Sequence, residues 1–402
     1  MKPGRRLCLM LLCLAALLTA VPGVNWAVNP YGAWPIAIID RIYLNDTVGT
    51  RMTVPYRLRT EQPTTLLAGS SKVQMGMGLD GTYRDDVFNA GLPGASLDEI
   101  AAILDVARRG PRLRRVIWGV DFYAFGEDYA GLRDGPTRSR LEVNDWLPLK
   151  ETLLSLQALE DSCGVLRRAG RGREALPPTR LLPVPWPQRF IREALESSRQ
   201  RGMSAANEAA IERQMRQWVW NYGNLRMSAR QMALFRETAA RLMAAGIDLI
   251  LFVPPQSQYE VEAIRQTGRW GAFQQWKRDL ASTGHYWDFS GYNRLAALDF
   301  LFPDGDHFQP AGGQAILRRF LGQDCTRCGQ IGSAIAGAAV WVDGASVERH
   351  LATQDAARVD QMEHDSPYLK LVAGVLSRSR APTRTEDMET NGPSDGAASH
   401  DR

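Results

Sequence analysis

The sequence predicts an α/β protein, a three-layer sandwich around a five-stranded parallel sheet, with a helical insertion and an N-terminal membrane anchor. Three observations carry this. Short apolar runs of strand length alternate with amphipathic stretches of helical period, the pattern of a parallel sheet covered on both faces. Roughly 125 residues separate the third and fourth runs, far more than one crossover helix needs. An uncharged stretch from Leu7 to Val28 follows Lys2, Arg5 and Arg6 and is long enough to span a bilayer.

The positive flank of that first stretch predicts a single-pass anchor with the amino end in the cytoplasm and the body of the chain outside. Trp26, Tyr31 and Trp34 suit an aromatic belt at the outer interface. The alternative is a cleaved signal peptide, for which Asn25-Trp26-Ala27 is the nearest approach to a cleavage site.

Thr64 to Ala68 (TTLLA) is the first strand, Asp86 to Ala90 the second, and Leu97 to Arg109 the helix after it, with Ser96 as cap. Arg115 to Phe122 is the third strand, Asp248 to Val253 the fourth and Tyr286 to Phe289 a short fifth. In the insertion, Leu149 to Arg168 and Ala206 to Trp220 read as amphipathic helices, joined by an extended Pro-rich connector, Pro177 to Pro187. Trp218, Trp220 and Tyr222 there read either as core or as exposed rings for sugar stacking. Ala229 to Ala245 is a helix capped by Ser228 and stopped at Gly246, Tyr259 to Gln266 another, and Ala315 to Leu321 the last of the sheet domain. Right-handed crossovers place the carboxyl ends of all five strands on one rim, where open α/β sheets put their ligands.

Gly69-Ser70-Ser71 stands at the end of the first strand and Asp304-Gly305-Asp306-His307 follows the fifth, both on that rim. A serine needs a base to take its proton and a carboxylate to fix the imidazole tautomer. The three-residue spacing from Asp304 to His307 in a Pro/Gly-bounded loop lets the carboxylate fold back onto one ring nitrogen while the other faces Ser71. Each motif has a plainer reading as well: Gly-Ser-Ser as a helix cap, Asp-Gly-Asp-His as a polar turn or cation site. Gln256, Ser257 and Tyr259, after the fourth strand, read either as pocket-lining or as caps of the following helix, and Tyr292 and Asn293 likewise.

With these segments in order, the chain resembles an SGNH (GDSL-like) hydrolase of the membrane-anchored branch associated with bacterial extracellular polysaccharide acylation. The resemblance spans roughly residues 60 to 322. Ser71 matches the nucleophile block and Asn89-Ala-Gly-Leu-Pro-Gly94 the second block, which implies Gly94 as a backbone oxyanion donor beside the N–H of Ser71. Asp304-x-x-His307 matches the last block, and Trp287-Asp-Phe-Ser-Gly-Tyr-Asn293 is similar to segments of the anchored branch. In the third block the chain departs: Asp121 stands where the family carries an asparagine. An amide donates to an oxyanion and an ionised carboxylate only accepts, so an Asp121 that faces the oxyanion must be protonated, or else it is turned away or replaced in role by another donor such as Asn89.

What the resemblance implies is an extracytoplasmic serine esterase or O-acyltransferase on acetyl esters of a polysaccharide, meeting the glycan and other exopolysaccharide assembly proteins. Asp121 favours a second reading, a catalytically inactive scaffold subunit of such a system. The domain limits follow: anchor 1–28, connector 29–60, catalytic domain 61–322 with the insertion at 126–227, a C-terminal extension 323–376, and a Ser/Thr/Asp/Glu/Gly-rich tail 377–402 predicted to be disordered.

Composition narrows the classes further. A net charge of +4 over 402 residues, without a basic aromatic face, argues against nucleic acid. The five histidines show no ligand spacing, and Gly76-Met-Gly78 lacks the third glycine of a dinucleotide loop, so neither metal nor cofactor is expected. Cys325-Thr-Arg-Cys328 is spaced for a small local disulfide.

Overall fold

In the computed structural model, the residues described are 3–35, 38, 50–77, 86–131, 140, 149–170, 205–296, 298, 301–302, 304–323, 329–362, 374 and 377. The Pro177 to Pro187 connector, the Cys325–Cys328 pair and residues 378–402 of the tail lie outside them.

The sheet is mixed and mostly parallel, with six strands in the order β2-β1-β3-β4-β5-β6. The parallel set is β1 (Thr65–Ala68), β2 (Val87–Asn89), β3 (Arg115–Gly119), β4 (Asp248–Val253) and β5 (Tyr286–Asp288). The expected count of five is corrected by β6 (Val340–Val342), which pairs antiparallel with β5 at the edge. Residues 340–342 fall in the expected C-terminal extension, past the alternation of strand and helix segments that marks β1 to β5.

Helices α1 to α12 are Pro3–Val28, Thr50–Glu61, Ser71–Gly76, Leu97–Ala107, Leu156–Gly170, Ala205–Asn224, Ala229–Ala244, Gln258–Gln266, Trp270–Thr283, Pro310–Phe320, Gly329–Ala338 and Val347–Met362. Within the insertion the expected helix from Leu149 divides: Leu149–Leu153 is a π turn and α5 follows it. The last expected helix begins earlier than the apolar pattern, because Pro310 opens it at the first turn, where a missing N–H costs nothing.

Alternation along the strands feeds two apolar clusters. Leu66, Ala68, Val116, Trp118, Leu251 and Val253 join one, with Ile100, Leu104, Phe235 and Trp276 from α4, α7 and α9. Leu67, Ile117 and Phe252 join the other, with Val73, Phe308, Ile316 and Leu317. Adjacent residues of one strand fall into different clusters, the period-2 geometry of a sheet buried on both faces.

Among the described residues no helix is long and apolar enough to cross a membrane. The apolar centre of the expected anchor, the side chains of residues 9 and 12–18, lies outside the described side chains. The carboxyl end of α1 is docked on the insertion: the buried Asn25 donates to the carbonyls of Leu153 (2.8 Å) and Ser155 (3.2 Å) and accepts from Ser162 (3.0 Å). Tyr31 donates to Asp161 at 2.6 Å.

The seam between α3 and α10 sets the height of the His307 loop, since α10 begins three residues after it. A Cβ at Gly313 would stand 1.9 Å from the Gly76 carbonyl oxygen, a clash with backbone that no rotamer relieves. We expect Gly313→Ala to cost about 2 kcal/mol, as overpacking does. A thermal or denaturant melt showing wild-type stability would remove this seam as a constraint.

Candidate functional site

Each group at the rim is delivered by a strand end. β1 runs into Gly69, whose φ of +153° and packing leave no room for a side chain: a Cβ there would lie 2.4 Å from Val73 Cγ2 and 2.8 Å from the Gly119 carbonyl oxygen. The turn that follows uses its two serines differently. Ser70 is the N-cap of α3, its hydroxyl accepting from the Lys72 N–H at 3.1 Å. Ser71, the first residue of α3, places its Oγ 2.8 Å from His307 Nε2. The cap is thus Ser70, and the neighbouring Ser71 is the serine that faces the imidazole.

The other half of the site is a turn built on Asp304. Its Oδ1 accepts the backbone N–H groups of Asp306 (3.0 Å) and His307 (2.8 Å), and its Oδ2 lies 2.6 Å from His307 Nδ1. Ser257 ties this turn to the next strand end, donating to the Gly305 carbonyl while its oxygen caps α8. The two readings of Ser257 are resolved as a cap that also holds the His307 loop.

The remaining sequence-predicted positions distribute as follows. Gly94 sits in the turn before Ala95 with φ +55°, a conformation glycine adopts without strain. Asn89 is committed elsewhere, which corrects its expected place as oxyanion donor: its amide donates to the carbonyls of Val73 (3.0 Å), Gln74 (3.3 Å) and Met77 (3.1 Å), tying down the carboxyl end of α3. Tyr292 donates to Glu262, and Asn293 bonds only backbone of its own loop, donating to Phe289 and accepting from Leu295. His285 precedes β5 and stacks on Trp341 at 3.9 Å, at the end of the sheet away from the rim. Trp218 and Tyr222 are core, whereas Trp220 is 68% exposed.

Asp121 follows β3 and is buried, hydrogen-bonded to Ser70. Burial raises its carboxyl to about 6, against the lowering by the Lys72 ammonium and the Ser70 bond. Burial would raise Asp304 too, but hydrogen bonds from the His307 ring and backbone outweigh it and hold that carboxyl below its usual range. For His307 burial pushes downward, and the carboxylates of Asp306 and Asp304 overcome it, lifting the imidazole from 6.5 to about 9.

Sequence reasoning missed the charged layer beneath these residues. Lys72 is buried in an ion pair with Glu260, itself buried, and its Nζ stands 3.3 Å from Asp306 Oδ1. Tyr222, from the insertion helix α6, donates to Glu260 Oε1 at 2.8 Å. The signal was present but shared: in α8 both Glu260 and Glu262 fall among Tyr259, Val261, Ala263 and Ile264. Among the described residues no group of His, Cys, Asp and Glu is arranged to hold a metal ion.

Chemically, a hydroxyl, an imidazole and a carboxylate in series form a proton path from Ser71 to His307, with Asp304 fixing the tautomer that leaves Nε2 free to accept. No family model, curated protein or solved structure matches the chain.

The pH dependence follows from His307. Only the neutral ring accepts the serine proton, so a Ser71-dependent rate rises with pH and levels off above about 9. The stability linkage runs in the same window: a folded-state value above 6.5 stabilises below 6.5 and loses that contribution as pH climbs through about 9. Melting curves of wild type and His307→Gln between these limits should converge as pH rises; parallel curves would show that the ring is not so held.

Proposed function

We propose that the protein is an extracytoplasmic SGNH-type serine esterase or O-acyltransferase acting on acetyl esters of a polysaccharide. The observation that carries the reading is the hydrogen-bonded series Ser71 Oγ, His307 Nε2 and Nδ1, Asp304 Oδ2, at 2.8 and 2.6 Å. The strand order β2-β1-β3-β4-β5 is that of flavodoxin-like doubly wound sheets, which supports the SGNH resemblance of the motif blocks. The glycan and its assembly proteins come from that resemblance alone. The uncharged run from Leu7 to Val28, behind Lys2, Arg5 and Arg6, supports a single-pass inner-membrane anchor with the site outside.

In this reading Ser71 Oγ attacks the acyl carbonyl while its proton passes to His307 Nε2. The tetrahedral oxyanion is met by the N–H groups of Ser71 and Gly94, and Asp304 stabilises the imidazolium. His307 then protonates the leaving sugar oxygen. Water or a second sugar hydroxyl, deprotonated by the same ring, takes the acyl group from Ser71 and restores the serine. Asp121, ionised, supplies no donor, and loss of one donor of this kind costs about two to three orders of magnitude in rate. A slow enzyme is therefore expected.

The test is release of acetate or p-nitrophenol from acetyl esters by the full chain in detergent, with and without an oligosaccharide acceptor, beside Ser71→Ala. Turnover or acyl transfer lost in Ser71→Ala, by at least about a thousandfold, is the expected result. If neither turnover nor covalent labelling of Ser71 by an organophosphonate occurs, catalysis is excluded and the scaffold reading favoured by Asp121 takes its place.

A further inference from the structure

Lys72 follows Ser71 on α3, and the acyl-transfer steps above make no use of it. Its ammonium is fixed in place, because its partner Glu260 is fixed: Glu260 Oε1 accepts from Tyr222 (2.8 Å) and from Gln256 Nε2 (2.9 Å), and Ser257 caps its backbone N–H. Asp306, by contrast, is shared. Its Oδ1 is 3.3 Å from Lys72 Nζ, and its Oδ2 is 3.7 Å from His307 Nε2, the nitrogen that faces Ser71 at 2.8 Å.

A separation of 3.7 Å is no hydrogen bond, and a movement of about 1 Å would make it one. The ring would then carry a carboxylate on each nitrogen, Asp304 on Nδ1 and Asp306 on Nε2. Held as an imidazolium by both, it would have no lone pair for the serine proton. We propose that Lys72 is a positioning residue of this site: its ammonium holds Asp306 back from the Ser71-facing nitrogen of His307 and so keeps that nitrogen available as the base. The inference rests on the reading of Ser71 and His307 as nucleophile and base.

The electrostatics run the same way. Charged and titratable groups around the ring come from four further elements: Lys72 on α3, Asp121 and Tyr123 after β3, Tyr222 on α6, and Glu260 on α8. Asp306 and Asp304 both raise His307, and Lys72 is the cation that opposes them.

The test reads the ring rather than turnover. In the full chain in detergent, with 13C-labelled histidine, the His307 Cε1 resonance is assigned by its loss in His307→Gln and titrated. Lys72→Met is expected to raise its midpoint by about one pH unit and Asp306→Asn to lower it, the ordinary effect of one nearby charge. Lys72→Met added to Asp306→Asn should shift it by much less. Lys72→Met/Glu260→Gln removes the Glu260 charge together with that of its ion-pair partner and serves if the single variant does not fold. A midpoint unmoved by loss of Lys72, or moved equally with and without Asp306, overturns the proposal. A shifted midpoint in a protein without acyl transfer sinks the proposed function and leaves this arrangement standing; turnover with an unmoved midpoint does the reverse.

Discussion

The ion pair of Lys72 with Glu260 is the constraint on which the rim depends. Both partners are buried, and removing one from such a pair leaves an uncompensated charge that costs about 3–5 kcal/mol. The pair joins α3, which carries Ser71, to α8, whose cap Ser257 holds the Gly305 carbonyl of the His307 loop. Two strand ends far apart in sequence are thereby held at one separation, and the 2.8 Å contact of Ser71 with His307 depends on it. Close packing at Gly69, Gly119 and Gly313 fixes the same distance from the apolar side, since backbone at these points approaches too closely for any side chain.

What was legible in the sequence is what local chemistry encodes. Ser71, Asp304 and His307 stand in short polar segments after apolar runs, and strand-end geometry does the rest. The strands β1 to β4 are continuous apolar runs and show themselves for the same reason. The Lys72 and Glu260 contact spans 188 positions and has no period, and neither charge stands out locally: Lys72 lies between Ser71 and Val73-Gln74, and Glu260 is two residues from Glu262. Asn89 misled because its residue type matches an oxyanion donor, while the carbonyls it satisfies are created by the turn at the end of α3, which the sequence does not display. The aromatic trio Trp218, Trp220 and Tyr222 split by helix geometry: positions 218 and 222 share a face and bury it, and 220 points the other way.

Asp121 takes on a different meaning once its neighbours are known. By the resemblance alone it stands where an asparagine would donate to an oxyanion. In place, its carboxyl is hydrogen-bonded to Ser70, the cap of the helix that begins with Ser71, and lies within the field of Lys72. An amide at this position would keep a hydrogen bond to Ser70 but remove one of the negative charges that hold the buried ammonium. Part of what the acid withholds from an oxyanion it returns in holding the lysine.

The charge balance of the cluster then limits how its protons distribute. Four carboxyls, Asp121, Glu260, Asp304 and Asp306, share a poorly solvated region with two cationic groups, Lys72 and His307. Full ionisation with a charged ring leaves two excess negative charges, and with a neutral ring three, in a place where water cannot offset them. Burial pushes the Asp121 and Glu260 carboxyls up, and the Lys72 ammonium opposes it at both. Neutralising His307 at rising pH adds one negative charge to the set, so that step is opposed by the carboxylates of Asp306 and Asp304 and favoured by burial of the ring and by Lys72. A midpoint measured on His307 therefore belongs to the cluster as a whole. Burial of the ring and the buried ammonium beside Ser71 together hold that midpoint below where the carboxylates alone would take it.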